Sequence, residues 1–118
     1  MTEFTVEEFE KCSRQNGVRF WEAHDFMRRL GYESWTAFQG VINKAMGSCI
    51  KLNIDPTEVF ILNTIINEEK ELKTYKLTRF GCFLVSMHAD SKKPEVMKIR
   101  AVLATIANQL IEIGRAHV

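Results

Sequence analysis

The residues best equipped for chemistry in this chain are Cys82 and His88, a thiol that could attack and an imidazole that could take its proton. Their spacing works against that role. Six residues apart on one helix, they point to different faces and lie about two turns apart. The pair reads as a core thiol and a surface histidine. His24 precedes Asp25 without a third partner, and His117 stands in the tail. No HxH or HExxH spacing occurs, and the six glycines are scattered rather than gathered into a phosphate-cradling loop. Without a nucleophile, a base and an orienting group, the sequence offers no catalytic residue, no metal-ligand set and no cofactor site. An enzyme is not expected.

Charged residues are the next candidates. With 16 Lys/Arg against 15 Asp/Glu, the net charge is +1, so no general basic excess announces a nucleic-acid binder. Any positive face must come from local arrangement. Arg28 and Arg29 fall on the polar side of a second helix, and Lys44 shares a face of the third with Lys51. Lys73 and Lys76 fall on the second strand of a hairpin, and Arg79 opens an apolar helix. Lys92 and Lys93 gather with Lys98 and Arg100 at the start of the last helix. Acidic residues concentrate elsewhere, from Glu3 to Glu10 and from Glu68 to Glu71. Each cation alone is most simply a solvated surface group. Together, Arg28, Arg29, Lys44, Lys73, Lys76, Arg79, Lys92 and Lys93 can form a positive strip making salt-sensitive, sequence-blind contacts to the phosphates of duplex DNA.

The elements that must position these residues follow from periodicity. A chain of 118 residues, 46% hydrophobic and 26% charged, suits one globular domain. Thr5 and Glu8 form a capping box with Phe4 and Phe9 at the staple positions, and this first helix is expected to fade at Asn16-Gly17. Val18 to Trp21 reads as extended. Ala23, Phe26, Met27 and Leu30 make an amphipathic stripe ended by Gly31. Ser34 caps a third helix carrying Trp35, Phe38, Val41, Ile42, Ala45, Met46 and Cys49, where Gly40 and Gly47 would permit close packing. Asp55-Pro56-Thr57-Glu58 can start one helical turn. Val59 to Ile66 and Leu72 to Leu77 then read as a β-hairpin around Asn67 to Lys70, with a helix over the first of these segments as the alternative.

Thr78 caps a helix in which Phe80, Cys82, Phe83, Leu84, Val85 and Met87 surround nearly the whole cylinder. A helix apolar all round is expected to be buried on every side, with Gly81 marking the close approach of another backbone. Pro94 opens the last helix, whose stripe is Val96, Ile99, Leu103, Ile106, Leu110 and Ile113. The expected core includes Trp35, Phe38, Ile42, Phe80, Phe83, Leu84, Leu103 and Ile106. Residues 1–113 form the domain, and 114–118 a tail that is either native or a cloning scar.

Compartment follows from what is missing. Cys12, Cys49 and Cys82 are odd in number and lack ligand spacing, so buried free thiols in a reducing, cytoplasmic setting are expected. Glu3, Glu7 and Glu8 interrupt any leader, and the apolar run from Phe80 to Val85 is far too short to cross a bilayer. No membrane partner is expected.

Several pieces together resemble the BRO N-terminal (Bro-N) domain of phage and viral antirepressor-type proteins, a family that takes in bacterial DNA-damage-inducible proteins of the DinD kind. They are Trp21, Leu30-Gly31-Tyr32, Trp35, Phe38 and Ile42-Asn43-Lys44-Ala45, then Leu77-Thr78-Arg79-Phe80-Gly81-Cys82-Phe83-Leu84 and Asp90-Ser91-Lys92-Lys93-Pro94-Glu95-Val96. Their order and approximate spacing are those of the family over residues 18 to 107. Where the family commonly has further aromatic residues after the last of these pieces, this chain has Met97 to Leu103 without one. The resemblance implies DNA binding or regulation of DNA-directed proteins, in phage gene control or the response to DNA damage, and does not imply catalysis.

The expectation is therefore an α+β fold, a mostly helical single domain with one β-hairpin packed on a buried helix. Its partner is duplex DNA. The alternative is a protein-interaction or dimerisation module that grips a repressor or DNA-repair protein, or forms a homodimer through the apolar stripe of the last helix.

Overall fold

Helices begin in this chain where a short polar side chain can accept an otherwise orphaned backbone N–H. The computed structural model describes residues 5–11, 14–16 and 18–116, with side chains other than those of 14–16, 18, 67 and 109–116. Thr5 accepts from the Glu8 N–H at 3.2 Å, Ser34 from Ala37 at 3.3 Å, Asp55 from Thr57 at 2.9 Å and Thr78 from Gly81 at 3.1 Å. These caps open α1 (Val6–Lys11), α3 (Trp35–Lys51), the single turn α4 (Pro56–Val59) and α5 (Arg79–His88). α2 (Ala23–Arg29) follows β2 directly, and α6 (Pro94–Ala116) follows a tight turn. The strands are β1 (Arg14–Asn16), β2 (Val18–Glu22), β3 (Phe60–Asn67) and β4 (Lys70–Leu77). They form one antiparallel sheet in the order β1-β2-β4-β3. The α+β class is as expected. The sequence readings at Phe4, Cys12, Gly17 and His117, and of the Leu110 and Ile113 side chains, lie outside the described residues.

The first helix is shorter than its sequence suggested. α1 ends at Lys11, and Arg14–Asn16 pairs with Val18–Phe20 instead of continuing the helix. After Phe9, the helix positions that would face the core fall on Cys12, Ser13 and Asn16. Little apolar area remains for a longer helix to bury, so pairing with the adjacent strand satisfies the backbone instead.

The hairpin forms as read, in preference to the helical alternative. Glu68 (φ 50°) and Glu69 (φ 66°) both take left-handed conformations, as a two-residue turn of matching twist requires. The ladder runs unbroken from Asn67↔Lys70 to Phe60↔Leu77. β2 joins it only at Trp21↔Leu77 and Glu22↔Lys76, so beyond that point the hairpin is two-stranded, with α2 packed on it at the buried Thr74. Its root is buried through Phe60 and Leu77, whereas Leu62 and Ile66 are 64% and 75% exposed. Packing on α5 is confined to this root. There a Cβ added to Gly81 would lie 3.0 Å from the Val59 carbonyl, the close approach that the glycine suggested.

The core gathers inner faces of α1, α2, α3, α5 and α6 around Trp21. The Trp21 ring stacks on Phe9 at 4.5 Å, and its indole N–H donates to the Phe9 carbonyl at 2.7 Å. Phe38, Ile42, Leu84 and Leu103 are buried as expected, and Trp35 and Ile106 are half-buried against them. Phe80 and Phe83 are not core residues: they are 38% and 37% exposed. The expectation that α5 is shielded on every side is therefore corrected. α3, α6 and β2 pack on α5 and bury Gly81, Cys82, Leu84, Val85 and Ser86. Among the described residues, the side carrying Phe80, Phe83 and Met87 is only partly covered, with α6 flanking the two phenylalanines. Gly40 and Gly47 also depart from expectation, since nothing lies within 4 Å of a Cβ built at either.

Candidate functional site

Cys82 and His88 do not meet. Cys82 is fully buried, and burial pushes its thiol well above the usual cysteine range, so the thiolate that attack requires is suppressed. His88 lies on the exposed side, with its Nε2 2.6 Å from the Ser48 hydroxyl. Cys49 is likewise buried and unpaired, with its pKa raised by burial. No cluster of three His, Cys, Asp or Glu side chains suited to a metal occurs among the described residues.

The cations divide by what already holds them. Arg28 pairs with Asp25 at 3.2 Å and Arg29 with Glu8 at 3.9 Å. Arg79 grips Glu10 with Nη2 at 2.8 and 2.9 Å, and Arg19 binds the same carboxylate. Lys76 Nζ sits 4.4 Å above the Phe20 ring centre. Lys93 Nζ donates to the Gly31 carbonyl at 3.0 Å and lies 4.9 Å above the Tyr32 ring. Lys44, Lys73 and Lys92 are exposed, and no acidic side chain among the described residues forms an ion pair with them.

Two basic neighbourhoods result. One is the corner where the α2–α3 and α5–α6 turns meet, holding Arg28, Lys93 and the adjoining Lys92 beside Gly31 and Tyr32, with Glu33 and Glu95 among them. The Tyr32 hydroxyl ties this corner by accepting the Asp90 N–H at 2.9 Å. The other lies at the sheet root, where Arg19 and Arg79 share the Glu10 carboxylate and Lys76 sits over the Phe20 ring. Among the described residues, no hydrogen bond, ion pair or ring contact joins the Lys44 or Lys73 side chain to either neighbourhood.

Sequence reasoning missed Arg19, because the carboxylate that joins it to Arg79 is 9 residues from one and 69 from the other. It also grouped Arg100 with surface lysines. Arg100 in fact caps α5, donating to the Ser86 carbonyl at 2.8 Å and that of Ala89 at 3.0 Å, where a cation suits the helix end.

An apolar groove of about 320 Å³ runs between α5 and α6, lined by Phe80, Phe83, Leu103, Ile106 and Ala107 with Arg79 at its margin. A second hollow lies between the hairpin arm and α2, bounded by His24, Arg28, Ile65 and Leu72. There His24 stacks on Trp35 at 4.1 Å, with its Nδ1 3.0 Å from the buried Thr74 hydroxyl. Burial, then the Arg28 charge, lowers the imidazole pKa. No helix among the described residues is long and apolar enough to cross a membrane.

The model of the BRO family N-terminal domain matches residues 10–104. The chain is 30% identical to the DNA damage-inducible protein D of Escherichia coli (strain K12), over 73% of its own length. It spans about a third (33%) of that curated relative. No solved structure matches it.

Proposed function

The chain belongs to the family of BRO N-terminal domains, and from that premise we propose that it is a non-catalytic regulatory domain that binds duplex DNA. Its setting is the cytoplasm, in prophage gene control or the response to DNA damage. The observation that carries this reading is that Lys44, Lys73 and Lys92, exposed like Lys11, Lys51, Lys70 and Lys98, form no ion pair among the described residues. A cation already neutralised by a carboxylate gains little from a phosphate, whereas these three can release counterions from DNA on contact. Lys93, which has no ion pair among the described residues, flanks the same corner as Lys92 and would add to it, whereas Arg28 there must first give up Asp25. Contacts of this kind position a protein on the backbone and favour weak, salt-dependent binding. Fluorescence anisotropy with a labelled duplex of arbitrary sequence tests the reading. Binding at low salt that weakens steeply as salt rises supports it; no binding at low salt refutes it.

The groove between α5 and α6 favours a second reading, a module that grips a repressor or DNA-repair protein. Two exposed phenylalanines with rings 6.4 Å apart, beside Ile106 and Ala107, suit an apolar segment of a protein and not a phosphate. A photo-crosslinking residue at position 83 distinguishes the two. It would tag a protein in this reading and remain unreacted if DNA is the only partner.

A further inference from the structure

β3 is the outer strand of the sheet, and it carries none of the devices that normally guard such an edge. Exposed edges are usually blunted by Lys, Pro, a bulge or a very short strand. β3 reads Phe60-Ile61-Leu62-Asn63-Thr64-Ile65-Ile66-Asn67, eight residues without a charge, a proline or a glycine. Its ladder with β4 shows no bulge. The charges sit on its inner neighbour instead, at Lys70, Glu71, Lys73 and Lys76.

We propose that this edge pairs with β3 of a second copy of the chain, antiparallel about a twofold axis at Thr64. Main-chain direction allows it. The Thr78 N–H donates to the Val59 carbonyl at 3.2 Å, so the odd-numbered residues of β3 turn their main chain toward β4. Leu62, Thr64 and Ile66 then aim N–H and C=O outward.

Side-chain pattern selects the occupant. With Thr64 opposite Thr64 of the second copy, Leu62 faces the second copy's Ile66, and Ile66 its Leu62. These are the residues that the single chain leaves 64% and 75% exposed. Apolar and Thr–Thr cross-strand pairs of this kind are favourable. A strand with no charge has nothing with which to select a charged foreign strand, and pays no like-charge penalty on meeting itself. The twofold closes on itself, so association stops at two. An eight-residue edge buries less than the roughly 1,200 Å² of a stable interface, so the dimer is concentration-dependent. None of this depends on DNA binding.

Sedimentation equilibrium of the chain, from micromolar to millimolar concentration without DNA, tests the proposal. The average mass is expected to rise from one chain toward two. Thr64→Lys and Thr64→Glu each place like charges on the axis and should weaken association at least about tenfold, while their equimolar mixture restores it. Phe83→Asp, in the groove, should leave association unchanged. A wild-type chain that stays single, growth beyond two, unrestored mixtures, or loss of association in Phe83→Asp would each overturn the proposal. Should the charged variants misfold, amide exchange of the wild-type chain decides. The Leu62, Thr64 and Ile66 amides gain protection with concentration if the edge pairs, and gain none if it does not.

Discussion

Replacing Gly81 by alanine sets helix propensity against a steric contact. Glycine inside a helix is about 1 kcal/mol worse than alanine, so propensity alone would make Gly81→Ala stabilising. The new methyl, however, would lie 3.0 Å from the Val59 carbonyl oxygen and 3.2 Å from Val59 Cγ1. That carbonyl is not free to retreat, because it accepts from the Thr78 N–H at 3.2 Å and the Thr78 hydroxyl at 3.3 Å. Moving it loosens two hydrogen bonds worth about 1 kcal/mol each, and overpacking typically costs about 1–3 kcal/mol. The contact outweighs the propensity gain, and a net loss of about 1–2 kcal/mol is expected in urea unfolding. Gly40→Ala is the control. Nothing lies within 4 Å of its Cβ, so it should gain about 0.5–1 kcal/mol. If Gly81→Ala were as stable as the parent, α5 would not be pinned against the hairpin root, and the reasoning would fail.

Other substitutions probe the same structure. Phe38→Ala should cost about 3–5 kcal/mol by urea unfolding, and Phe80→Ala and Phe83→Ala less, because more than a third of each is already exposed. Arg100→Met should cost about 1.5–3 kcal/mol and speed amide exchange near the end of α5, since it uncaps the Ser86 and Ala89 carbonyls. His24 gives a pH signature. Burial lowers its folded pKa below the ordinary 6.5, so the folded state favours the neutral ring. Its contribution is complete above that pH and is lost as pH falls through 6.5 toward the folded value, and His24→Gln should flatten that part of the stability–pH curve.

Much of the fold was legible because its signals are local. Thr5, Ser34, Asp55 and Thr78 announced helix starts, and all four accept the backbone hydrogen bonds that their positions implied. The stripe from Phe38 to Cys49 and the run from Val96 to Leu103 gave the inner faces of α3 and α6. Periodicity failed where the answer depended on how many neighbours a surface finds. α5 is apolar all round, yet its packing partners leave Phe80, Phe83 and Met87 open. The site was less legible than the fold. Whether a basic side chain is available or already paired is decided by residues far away in sequence. Arg79 looked like Lys73 until Glu10 was found against it. Lys93 looked like Lys92 until it was found on the Gly31 carbonyl.

The most direct test of the central claim, that Lys44, Lys73 and Lys92 carry DNA binding, is the salt dependence of duplex affinity in the parent and in the Lys44→Ala/Lys73→Ala/Lys92→Ala variant. Each lost phosphate contact lowers the slope of log affinity against log salt by about 0.9, so a decrease of about 2.7 is expected, with folding unchanged. An unchanged slope, or a parent chain that does not bind at low salt, would contradict the account.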